Sequence, residues 1–302
     1  MSREINVTYR VVRDLPAAQR ATWSNLLAEF AAEVPTPEKV EVVITDEYEK
    51  VAGQYQVQEV DRANPSMTAE QYRAKKVDGA RAGAMTCVLP GGKVVVVAGS
   101  GLVPAGVRGA RHGLLHEAQH VRLAQRGDAA WGVHRRVPFT LPEREITFEF
   151  LWAAESAIDE YRCERTVHER GWTDPTNTVR PGNVASIVAT FRAARMTWDV
   201  TGDLMGAYQA AFASLDRMAN VLAYGAAGVV TGVISATAWA KAPVAGRILD
   251  LLEDLPGTDM VVPREDLAAV AVEVAKRLRR ILQEMGFDYF VPVGGGTYLK
   301  PM

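Results

Sequence analysis

The segment His116-Glu117-Ala118-Gln119-His120 constrains this chain more than any other stretch of it. On a helix, residues i and i+4 lie about 6 Å apart along the axis and project from one face. Two imidazoles so placed reach a single Zn²⁺ at roughly 2.0–2.1 Å each. A glutamate directly after the first histidine can take the proton of a water activated by that metal. Zn²⁺ lowers the pKa of such a water to about 7, so the spacing describes attack of water on a polarised carbonyl. Only five histidines occur in 302 residues, so composition alone rarely produces this pattern.

The neighbouring residues supply a setting for it. Val95, Val96, Val97 and Ala98 read as a buried strand, and Gly99-Ser100-Gly101 ends it. Leu114, Leu115, Ala118 and Val121 then form the apolar side of a helix. A solvated helix that merely carried two surface histidines would not need this strand–loop–helix order.

A catalytic zinc requires a third protein ligand and one open position. His112 precedes His116 by one turn, but His112 and His120 are about 12 Å apart, too far to share an ion. It is expected at the rim or behind the ligands. His134, in a Pro/Arg-rich loop, and His168, at a helix end, are isolated candidates. The next strong helix, Glu149 to Glu169, offers more. Leu151, Trp152, Ala154, Ile158 and Tyr161 give it a packed character, and Glu155 and Asp159 share one face. A packed helix does not bury carboxylates without a partner, and a metal is one such partner. Glu155 is the candidate third ligand. Asp159 can accept the free N–H of a ligating histidine. Glu160 and Glu164 form a second i,i+4 pair and are the rivals, while Arg162 and Arg165 allow ordinary helix ion pairs.

The two motifs together resemble the gluzincin branch of the zincin metallopeptidases, typified by thermolysin. In that group a downstream helix supplies a glutamate ligand, with an aspartate one turn later behind it. The resemblance covers the two helices. It implies Zn²⁺ held by His116, His120 and Glu155, with Asp159 as the outer carboxylate and Glu117 as general base. The stretch between His120 and Glu155 is longer than in the thermolysin pattern, so Arg126 to Arg144 is expected to form an inserted loop. The metzincin continuation is missing after His120. Upstream, 84–89 and Lys93–Val97 flank Pro90-Gly91-Gly92, a hairpin signal. That order is similar to small zincins of the ImmA/IrrE type, in which a sheet edge beside the active-site helix pairs with an extended substrate. An exposed edge is suited to strand addition.

Composition narrows the remaining classes. A formal charge of −2 lacks the strongly basic balance of a dedicated nucleic-acid binder. Cys87 and Cys163 fall in an apolar strand and a packed helix, which suits reduced thiols in a cytoplasmic protein. Met1–Ile5 shows no apolar signal region, so no secretory leader is expected. Ala219 to Ala240 carries no charge, yet Asn220, Thr231, Ser235 and Thr237 interrupt it. Gly225 and Gly228 suggest two core helices rather than a membrane span.

Along the chain, Ile5–Val12 and Val40–Ile44 are expected as strands and Pro16–Val34 as an amphipathic helix. Lys50–Gly83 reads as polar and irregular, with a helix at Thr68–Lys75. From Gly182 onward helices are expected at about 184–197, 202–224, 229–240, 243–254 and 265–285.

The expectation is therefore an α+β chain. Residues 1–170 form a zincin-like metallopeptidase domain and 171–302 an all-helical C-terminal domain. A peptide or protein is the substrate, and neither nucleic acid nor a membrane is a partner. His134, His168, Tyr161 and Tyr208 are the candidate donors to a developing oxyanion. The alternatives are a zincin-like binding protein without turnover and a zinc hydrolase of a non-peptide amide. Oligomeric state is not legible.

Overall fold

The computed structural model describes residues 5–10, 15–63, 83–133, 146–290 and 298–301. The expected helix at Thr68–Lys75, residues 134–144 of the expected loop at 126–144, and with them His134, fall outside the described residues. The chain is α+β and divides into two compact units. One comprises Met1–Gly127 with Glu169–Asn177, the other Asp128–His168 with Thr178–Met302. This differs from a division at 170: the helix expected to close the first domain groups with the helical unit.

In the first unit, β1 (Asn6–Arg10) leads to α1 (Ala17–Glu33), β2 (Val40–Thr45) and α2 (Tyr48–Ala63). Strands β3 (Ala84–Val88) and β4 (Val94–Gly99) precede a short α3 (Leu102–Ala105) and the motif helix α4 (Val107–Arg126). The sheet order is β1-β2-β4-β3. β1–β2 and β2–β4 are parallel, and β3 returns antiparallel to β4. Gly91 and Gly92 adopt φ of 79° and 81° in the connection, a backbone region in which side chains are strained.

The unbroken valine run of β4 has its reason in this layering. Val94, Val96 and Ala98 pack with α1 and α4, and Val95 and Val97 with α2. A strand covered on both faces loses the usual polar alternation. Helix α2 occupies much of the stretch expected to be irregular. Its apolar stripe is sparse, Val51, Ala52 and Tyr55, and only the sheet surface of Val43, Val95 and Val97 makes it worth forming.

The helical unit contains α5 (Phe148–Glu169), α6 (Pro181–Thr201), α7 (Leu204–Val230), short α8 (Ala236–Trp239) and α9 (Leu249–Leu252), and α10 (Arg264–Glu284). One core joins Phe150, Ala154, Ile158 and Tyr161 of α5 to Phe191, Leu215, Leu222, Leu278 and Phe287. This shared core is why α5 groups here. Gly202 closes α6 with a φ of 67°, and the Asp203 carboxylate caps α7 by accepting the Gly206 amide at 3.0 Å.

Two expectations for this unit are corrected. It is not all-helical: β5 (Phe287–Phe290) and β6 (Tyr298–Pro301) pair antiparallel. In β5, Phe287 and Tyr289 enter the core while Asp288 meets Arg279 and Gln283, a period-2 pattern too short to stand out. Nor do Gly225 and Gly228 separate two helices; both lie inside α7. A Cβ on Gly225 would overlap the Trp239 ring, and one on Gly228 the Ile234 side chain. The glycines are notches for the returning chain, not breaks. Among the described residues no helix is long and apolar enough to cross a membrane.

Candidate metal centre

Helix α4 begins after Gly106 and ends at Gly127, whose φ of 70° lets its amide close the last turn. Ala110, Leu114, Ala118 and Val121 seat one side of the helix in the core formed with α1 and the sheet. His116 lies two residues from both Leu114 and Ala118, about 200° around the axis, so the histidines are carried on the side away from the sheet. His116 is buried and His120 half-buried.

The two imidazoles converge. Nε2 of His116 and Nε2 of His120 are 3.1 Å apart, with ring centroids 4.9 Å apart and planes at 67°. Two ligands at about 2.0–2.1 Å on a tetrahedral ion have their nitrogens about 3.3–3.4 Å from each other. The pair thus has the spacing of ligands to one cation. Glu117 is 8 % exposed. Its backbone carbonyl accepts the Thr86 hydroxyl of β3 at 3.3 Å, which ties the motif helix to the sheet edge. Among the described residues, none hydrogen-bonds its carboxylate.

His112, one turn before His116 on the same helix, is buried. Its Nδ1 accepts the Asp174 backbone N–H at 3.0 Å, so its proton resides on Nε2. The turn it holds is internally braced: Asp174 Oδ1 accepts the Thr176 amide at 3.0 Å and hydroxyl at 2.9 Å. The Thr176 amide holds the Asp174 carboxyl below the ordinary aspartate range, against an opposing effect of burial.

In the helical unit, the acidic face of α5 meets backbone. Asp159 Oδ1 accepts the Ala130 amide at 2.7 Å, Asp159 Oδ2 the Trp131 amide at 3.0 Å, and Glu155 Oε2 the Gly132 amide at 2.9 Å. Three successive N–H groups thus converge on two buried carboxylates. Arg162, fully buried, adds a second anchor two residues upstream through the Asp128 carbonyl at 2.9 Å and carboxylate at 3.3 Å. Glu160, one residue beyond Asp159, is half-buried, and its Oε2 accepts the Tyr224 hydroxyl at 2.6 Å. Glu164 Oε1 lies 3.0 Å from His168 Nε2.

The expected oxyanion donors in this unit have other partners. His168 Nδ1 faces the Thr231 hydroxyl at 3.1 Å. Tyr161 is buried, with its hydroxyl at 3.5 Å from the Glu253 carbonyl and at 3.2 Å from Arg165. Tyr208 and Tyr289 both donate to Glu149 Oε1, at 3.3 and 3.1 Å. Burial, reinforced by the Glu149 charge, pushes the Tyr208 phenol up to about 12. Tyr224 was not among the expected residues. Its one signal in the sequence is position: Asn220, Tyr224 and Thr231 are polar interruptions, about a turn or two apart, in an otherwise apolar stretch.

No family model, curated protein or solved structure matches this chain.

Proposed function

We propose that the chain is a zinc-dependent hydrolase of peptide bonds, with His116 and His120 as metal ligands and Glu117 as general base. The observation that carries the reading is the 3.1 Å approach of the His116 and His120 Nε2 atoms beside a buried glutamate. Two imidazoles and a carboxylate are the donor set of a catalytic zinc with one open position. The thermolysin-like pattern gives the carboxylate's place to Glu155, one of whose oxygens accepts the Gly132 amide.

Bound there, Zn²⁺ supplies Lewis acidity toward a carbonyl and lowers the pKa of water to about 7. The chain does the rest. Glu117 takes the proton of the attacking water and returns it to the departing amine. Its low exposure keeps bulk water from competing for that proton. The Thr86–Glu117 contact sets the base against β3, the sheet edge along which an extended peptide would lie.

Glu117→Gln tests this reading. The amide keeps the shape but cannot accept the proton at neutral pH. Zinc content should remain at the wild-type level, and cleavage of a proteome-derived peptide library should fall on the order of 10²–10⁴-fold. Cleavage at near the wild-type rate would exclude Glu117 as the base.

A further inference from the structure

Helix α6 is apolar on two opposite sides. Its inward stripe, Val184, Ile187, Val188, Phe191 and Ala194, belongs to the core of the helical unit. Its outward stripe, Ala185, Ala189, Ala193, Met196 and Val200, is exposed and carries no charge. At 100° per residue these five positions fall within about 80° of one another, opposite the buried set. Of the 21 residues of α6 three are charged, whereas α10, a helix of the same length against the same core, carries nine. A helix that is apolar all round is normally covered on both sides.

The apolar surface continues past the end of the helix. Met196, Val200, Leu204 and Met205 are four of the eight large apolar side chains exposed among the described residues, and they fall within ten consecutive positions. Singly scattered apolar residues need no explanation, but a contiguous patch marks an interaction surface.

One edge of the outward stripe carries Arg192 and Asp199, seven residues and thus nearly two full turns apart on one line. Further round, Arg195 holds Asp199 at 3.1 and 3.2 Å and the Gly286 carbonyl at 2.9 Å. Arg192 makes no ion pair or hydrogen bond among the described residues. Opposite charges spaced along one edge make this face complementary to a copy of itself. A two-fold axis that lies in the contact plane and crosses α6 midway between them reverses the helix direction and keeps the edge on the same side. Arg192 then faces Asp199 of the second copy, and Asp199 faces Arg192 of the second copy. The same operation sets Val200 over the gap between Ala189 and Ala193 of the second copy, a large residue against two small ones.

We propose that the outward face of α6, with the tip at Leu204 and Met205, is a two-fold docking surface for a second copy of this chain, its antiparallel register set by Arg192 and Asp199. The helix is about 30 Å long and about 10 Å across. The contact therefore falls below the roughly 800 Å² per partner of a standard interface, and the dimer is a weak one.

Sedimentation velocity on the full chain, from about 1 µM to about 1 mM, should show a monomer giving way to a dimer. Val200→Glu should abolish the dimer. Val200 is 84 % exposed, so the added charge leaves the fold intact. Arg192→Glu sets two like-charged pairs across the axis and should raise the dissociation constant roughly tenfold. Combining it with Asp199→Lys restores opposite charges and should recover most of that loss. Thermal midpoints near wild type confirm that each variant is folded. A chain that stays monomeric throughout would overturn the proposal. So would a dimer unaffected by Val200→Glu, or a double variant that associates no more tightly than Arg192→Glu. A monomer that instead co-sediments with phosphatidylcholine vesicles, and loses this in Val200→Glu, would overturn it in favour of a lipid surface.

Discussion

Gly132 donates its backbone N–H to Glu155 Oε2 at 2.9 Å, and the two preceding amides go to Asp159. The pair of acids on α5 therefore clamps the segment that follows the motif helix. Hydrogen bonds to a charged acceptor are worth about 1.5–3 kcal/mol each, and a buried donor left unpaired costs about 1–3 kcal/mol. Asp159→Asn turns one acceptor into a donor facing an amide and should lower unfolding free energy by about 1–3 kcal/mol. Glu155→Gln should keep its zinc, because the Gly132 amide already engages that carboxylate. Chemical denaturation and elemental analysis read the two effects separately. Loss of zinc in Glu155→Gln would restore Glu155 as the ligand.

Gly225 makes room for the Trp239 ring against α7. Gly225→Ala has better helix propensity, a gain of about 0.5–1 kcal/mol at an open position. Here the added methyl meets a large buried ring, and overpacking typically costs about 1–3 kcal/mol. The net effect should be a lower thermal midpoint. A raised midpoint would mean that the glycine is a tolerated breaker and not a notch.

Tyr208 provides a test in alkaline solution. Its folded pKa, about 12, lies above the unfolded value of about 10. The neutral phenol therefore favours the folded state. That contribution is complete below about pH 10 and is lost as pH rises toward 12. Tyr208→Phe should flatten the loss of stability between pH 10 and 12, seen by phenolate absorbance and denaturation at each pH. An unchanged slope would show that the Glu149 cluster does not govern it.

Strong periodicity made much of the first unit legible. The valine run of β4, the hairpin before it and the stripe Leu114, Ala118, Val121 each follow from one local pattern. The i,i+4 spacing of His116 and His120 likewise needs no tertiary knowledge, and their nitrogens do converge. The weaker readings share a different cause. A buried carboxylate needs a partner, but a metal and a run of backbone amides satisfy that need equally. Nothing local to Glu155 reveals that Gly132, far upstream, donates to it. Gly225 and Gly228 carry a breaker signal whose meaning depends on where Trp239 and Ile234 return. Helix α2 forms on a sparse stripe because the sheet is there to receive it. Likewise the partner of Glu160, Tyr224, lies on another helix and leaves no local signal.

Metal content is the most direct measure of the central claim. The purified chain, exposed to zinc and freed of excess by gel filtration, should retain about one Zn²⁺ per chain. His116→Ala or His120→Ala should each abolish stoichiometric metal, because each removes one of two converging nitrogens 3.1 Å apart. Full zinc occupancy in the double variant, or none in the wild type, would contradict the account.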